Sequence, residues 1–157
     1  MTLMSDRQAA RTIVATVVTT VRRRGWARAA GYLRSRIAAD PEPRDRLRCV
    51  LTELIELNAA LALRRMEPLD GTELISLDLA DEDESPIDID SLAPAVRAFL
   101  ARVNGHPADA DEQVHLALLA PPPAVVDAVM IILGWTTDQL DWCRHHRMPT
   151  PEWLGAA

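Results

Sequence analysis

Chemistry in this chain would have to come from four histidines, two cysteines, one run of acids and an unusual set of bases. The histidines are His106, His115, His145 and His146. A zinc site needs ligands that converge, often at i and i+4 on a helix. His145 and His146 are neighbours, so a helix would turn them about 100° apart. No metal site is expected. Cys49 and Cys143 lie far apart inside helical patterns, with no ligand spacing and no disulfide framework. They fit a reducing, cytoplasmic compartment. All 17 basic residues are Arg, which removes lysine from every mechanism: neither a Schiff base nor a Walker-type phosphate contact is available. Six glycines form no phosphate-cradling loop. The sequence therefore predicts no catalytic residues, no cofactor and no enzyme.

The acids are concentrated. Seven fall between Asp78 and Asp90 with no base among them, including Asp81, Glu82, Asp83 and Glu84. A calcium loop would need alternate oxygen ligands and a glycine at its sharp turn. No glycine stands between Gly71 and Gly105, so the run reads as a solvated acidic loop, one that would attract a basic partner. The bases gather at the other end of the chain. The first 36 residues hold eight Arg and one Asp. Net charge is −6, which disfavours nucleic acid and anionic membranes as partners of the whole molecule.

These residues must be positioned by helices. The 157 residues suit a single domain, and 48% apolar with 25% charged is a globular composition. With aromatics at 4%, the core falls to Leu, Val, Ile and Ala. Spacing predicts a helix from about Asp6 to Arg24. Ile13, Val17 and Val21 form its stripe, although the β-branched run Thr12 to Val21 also suits a strand. Three arginines and Gly25 mark its end. A second helix runs from Trp26 to Ala39, with Trp26, Ala30, Leu33 and Ile37 on one side. A third runs from Arg44 to Met66, where Leu47, Leu51, Leu54 and Leu61 share a face and Arg48, Glu53, Glu56 and Arg64 reach water.

Composition shifts after Glu67, and residues 67–90 read as a long acidic connection. Helices resume at Ser91 to Val103 and at about Asp109 to Leu119. Two more are expected, Ala124 to Leu133 and Thr136 to Arg147, separated by a turn at Gly134; a tail follows over 148–157. The expectation is an all-α fold: one helical domain over 1–157, an irregular bundle of about six or seven helices with the acidic loop between halves 6–66 and 91–147. Helices 44–66 and 124–133 are apolar beyond the need of a lone surface helix, which raises self-association as an expectation. No stretch reaches the ~18 apolar residues of a membrane span.

Two short segments resemble known families. Asp90-Ser91-Leu92 resembles the attachment site of acyl carrier proteins, which implies phosphopantetheine on Ser91. The simpler reading is that Asp90 or Ser91 caps a helix N-terminus. Residues 124–151 resemble a helix-turn-helix of the small excisionase-like DNA readers, carried by Leu133, Gly134, Leu140, Cys143 and the Met-Pro-x-Pro ending. That resemblance implies DNA contacts from Thr137, Gln139, Arg144 and Arg147. The same residues also read as core structure, with Thr136 and Gln139 forming a capping box. The leading functional expectation is a small cytoplasmic protein-interaction or regulatory module without catalytic activity. It would bind a protein partner through Arg22, Arg23 and Arg28, through Asp81, Glu82, Asp83 and Glu84, or through both sets. DNA binding through residues 124–151 is the alternative.

Overall fold

The computed structural model describes residues 2–66 and 89–155. Six α-helices account for most of them: α1 (Thr2–Arg24), α2 (Trp26–Ala38), α3 (Pro43–Met66), α4 (Ile89–Val103), α5 (Pro107–Ala117) and α6 (Pro122–His145). A short 3-10 turn at Glu152–Leu154 closes the description. The fold is all-α, and the described residues contain no strand. The acidic run Asp81, Glu82, Asp83 and Glu84 lies outside the described residues, between the two helical halves.

Residues 12–21 are helical in spite of their β-branched composition. Two causes act together. Thr12, Thr16 and Thr20 donate their hydroxyls to the carbonyls four residues back, at 3.0, 2.8 and 2.7 Å. On the opposite face Ile13, Val14, Val17 and Val18 are at most 2% exposed. Burying each such side chain contributes about 1.5–3 kcal/mol, more than the few tenths by which β-branching disfavours a helix. The helix stops where the sequence places its end. Gly25 has φ +82°, a backbone conformation that L side chains rarely adopt, and its N–H donates to the Val21 carbonyl at 3.0 Å.

α3 is the central rod and touches each of the other five helices. Leu47, Val50, Leu51, Leu54, Ile55 and Leu61 are at most 2% exposed along it. α1 and α6 pack on it from the flanks, α4 pairs with α5, and α2 braces α1 and α6. The apolar surplus that suggested self-association is largely used inside one chain: among the large apolar residues of α3, Leu63 alone is substantially exposed.

The turn expected at Gly134 is absent. α6 runs unbroken through it, from Pro122 to His145. Glycine inside a helix costs about 1 kcal/mol relative to alanine. That cost is small beside the burial of Val129, Ile132 and Leu133 before it and Leu140 and Cys143 after it. The tip of Trp26 packs over Gly134, 3.7 Å from where a Cβ would sit. This is ordinary van der Waals distance, so Gly134→Ala should fit and stabilise the fold by up to about 1 kcal/mol. Urea unfolding checks it, and a clear loss of stability would mean that residue 134 is not helical.

Smaller boundaries shift for local reasons. α5 begins at Pro107 rather than Asp109, because proline suits the first helical position, where no N–H is needed. α4 begins at Ile89, which puts Asp90 and Ser91 inside its first turn rather than at its cap. Glu53, expected to reach water, is only 6% exposed.

Candidate functional site: a basic end built from three helix C-termini

The last turns of α1, α3 and α6 meet at one end of the bundle. Arg22 of α1 donates to Asp141 of α6 at 2.6 Å. One residue further along α6, the Arg65 guanidinium of α3 lies over the Trp142 ring, 4.9 Å from its centroid. Arg64 donates to the carbonyl of Pro149 and so ties the tail to the same end. Just past the end of α6, His146 stacks on Trp142 at 4.0 Å between ring centroids, and His145 meets His146 edge-on at 5.1 Å.

Each of these helices ends in basic residues: Arg22, Arg23 and Arg24 on α1, Arg64 and Arg65 on α3, Arg144 and His145 on α6, then His146 and Arg147. Asp141 is the one carboxylate in the three last turns. A helix C-terminus carries about half a negative charge, which explains part of this pattern as dipole complementarity. Among the described residues, seven arginines against three half-charges and the carboxylates of Asp138 and Asp141 still leave a surplus of about three to four positive charges at this end.

The arginines divide sharply by partner. Arg7, Arg11, Arg22, Arg34, Arg36, Arg46 and Arg102 make ion pairs within the fold. Arg23, Arg24, Arg28, Arg144 and Arg147 are exposed and make no ion pair with another described residue. Arg22, expected to meet a partner, is held by Asp141, and its side chain is 18% exposed. Arg23 and Arg28 are exposed on the corner between α1 and α2, with Trp26 between them 45% exposed.

The four residues expected to touch DNA also divide. Thr137 is buried and donates to the Gly134 carbonyl at 2.8 Å. Gln139 donates to Asn58 of α3 at 2.9 Å. Both face the bundle rather than a groove. The Thr136 hydroxyl, read as a cap, donates to the Ile132 carbonyl at 2.8 Å and accepts from Asn58 at 2.7 Å. Arg144 and Arg147 alone of the four stand on the surface.

Two features escaped the sequence. Glu53 is clamped by Arg7 at 2.6 Å and Arg11 at 2.8 Å, while its neighbour Glu56 joins Arg7 to Arg102 of α4. The signal was present: Arg7 and Arg11 stand one helical turn apart, and Glu53 shares the apolar spacing of Val50 and Leu57. The second feature is a cleft of about 290 Å³ at the start of α3, lined by Asp40, Arg46 and Cys49 among others. Burial pushes the Cys49 thiol up from its ordinary range, with Asp6 adding to the effect. At neutral pH this is a thiol, without the thiolate character of a nucleophile.

Asp40 in that cleft is held below the usual carboxylate range, chiefly by its hydrogen bond from Arg46 at 2.8 Å, and further by the Glu42 N–H. A depressed folded value means that this contribution is complete above the unfolded value of 3.8 and is lost as pH falls through the folded one. Asp40→Asn should therefore lower stability at neutral pH and flatten the acid limb below about pH 4. Thermal midpoints against pH check this, and parallel acid limbs would show that Asp40 is not a source of the acid sensitivity.

Among the described residues no group of three His, Cys, Asp or Glu side chains is placed to hold a metal ion. Nor is any described helix long and apolar enough to cross a membrane. The fold and this end together define a helical bundle with a cationic face. Comparison with protein-family models, with curated proteins and with solved structures gives no match.

Proposed function

We propose that this chain is a non-catalytic protein-interaction or regulatory module whose partner docks on the arginine-bearing corner of α1 and α2. One observation carries the reading. Arg23, Arg24 and Arg28 remain exposed and make no ion pair with another described residue, while the other arginines of the first two helices are tied to carboxylates of the fold. Solvated arginines beside a half-exposed tryptophan are the composition of an interface, where Arg and Trp supply much of the binding energy. The acidic residues Asp81, Glu82, Asp83 and Glu84 belong to the same reading as a second, oppositely charged contact. A cytoplasmic setting also belongs to it, because both cysteines are free thiols.

The test is charge reversal. Arg23→Glu with Arg28→Glu should leave the helical circular dichroism unchanged, since both side chains are exposed and neither pairs with a carboxylate among the described residues. For a partner captured by the wild type, association should slow by about tenfold at low salt. An identified partner whose on-rate ignores the reversal removes the corner from the interface.

A second reading, duplex DNA binding, is favoured by Arg144 and Arg147 with His145 and His146 at the end of α6. It would use phosphate contacts, because Thr137 and Gln139 are committed to the fold. Steep salt dependence and weakening on Arg144→Ala would support it.

A further inference from the structure

The convergence of three helix ends reaches beyond the α1–α2 corner, and this inference rests on the interaction reading above while naming a wider site and its ligand. We infer that the basic end as a whole is a docking surface for an acidic polypeptide segment, with Arg65, Arg144 and Arg147 as carboxylate contacts alongside the corner arginines.

The position of Arg65 is the first argument. Its guanidinium lies over the Trp142 ring, 4.9 Å from the centroid, and the residue is exposed, so the ring holds a cation at the surface of this end. A guanidinium presents two parallel donors, the arrangement a carboxylate accepts. The second argument is the charge surplus. Among the described residues, about three to four positive charges remain after the helix ends, Asp138 and Asp141 are counted, and they are spread over three separate helix ends rather than along one stripe.

That spread selects the ligand. A rigid duplex would carry its regularly spaced phosphates across Asp138 and Asp141, which are both exposed beside the arginines. A flexible acidic segment can set single carboxylates against single guanidinia and leave those two acids facing water. The third argument is contrast with the rest of the surface. Arg44 and Arg97 are also exposed, but they stand on the first turn of α3 and the middle of α4, away from the three helix C-termini.

The experiment uses the full chain and a fluorescein-labelled oligoglutamate peptide, read by anisotropy at about 20 mM and about 150 mM salt. The wild type should bind at low salt and weaken about tenfold or more at the higher salt. Arg144→Gln with Arg147→Gln should weaken binding by about tenfold, and Arg44→Gln with Arg97→Gln should leave it unchanged. Circular dichroism confirms that each variant is folded. Failure of the wild type to bind the peptide, or equal loss in both double variants, would overturn the inference. So would tighter binding of mixed-sequence duplex DNA through the same arginines. None of these failures touches the α1–α2 corner, which stands or falls by the reversal of Arg23 and Arg28.

Discussion

Glu53→Ala should be the most damaging single exchange of a polar side chain in this protein, lowering stability by about 2–3 kcal/mol. Glu53 is 6% exposed and is the common acceptor for Arg7 and Arg11. Breaking a fully buried ion pair costs about 3–5 kcal/mol, because a charge is left without a partner or water. Here the abandoned charges have outlets. The Arg7 side chain is 49% exposed and can keep Glu56, and that of Arg11 is 29% exposed. The expected loss is correspondingly smaller. It should also reach the tail, because Arg11 lies over the ring of Trp153, 5.3 Å from its centroid. Urea unfolding gives the magnitude, and a change in Trp fluorescence before the main transition would report the tail. Glu53→Gln, which keeps the shape but not the charge, should lose less. Equal losses would mean that packing rather than charge is what Glu53 supplies.

The second large effect is expected at Asn58, which is 1% exposed at the contact of α3 and α6. Its amide nitrogen donates to the Leu54 carbonyl at 2.9 Å and to Thr136 at 2.7 Å, and its oxygen accepts from Gln139 at 2.9 Å. Asn58→Leu keeps the approximate volume but leaves the Gln139 amide without its acceptor. A loss of about 1–3 kcal/mol follows. The Thr136 hydroxyl is spared, since it still donates to Ile132. Making both sides apolar, Asn58→Leu with Gln139→Leu, should recover much of the loss, because no polar group is then stranded. The double-mutant cycle should show coupling of about 1 kcal/mol or more. Additive losses would mean that Gln139 finds water readily once Asn58 is gone.

What could be read from the sequence was what neighbours in the chain decide. Period, caps and breaks placed all the described helices of the first half, and Gly25 ended α1 as expected. Where a residue's partner lay far along the chain, local pattern misled. Thr136 and Gln139 have the spacing of a capping box, but the group that claims both of them is Asn58, 78 residues before the threonine. Gly134 looked like punctuation because nothing local announces that Trp26 will lie against it. Glu53 was assigned to water by its charge, although its position in the helix placed it among buried leucines. The basic site shows the same division. The exposure of Arg23 and Arg28 followed from their own helices. The anchoring of Arg22 by Asp141, and the meeting of Arg65 with Trp142, depend on three helix ends coming together, which one-dimensional spacing cannot express.

The position of α3 has a kinetic consequence. It spans 24 residues, about 36 Å of helix, and every other helix lies against it. No partial opening can bare its middle turns to water while leaving the rest of the bundle assembled. The amide hydrogens of residues 50–61 should therefore exchange with solvent only when the whole molecule unfolds, and their slowest rates should report its global stability. The outer turns of α2 and α5, which have fewer neighbours, should exchange by local fraying at far lower free energy. Binding at the basic end, where α3 terminates, should then slow exchange through the centre of the protein without moving any atom there.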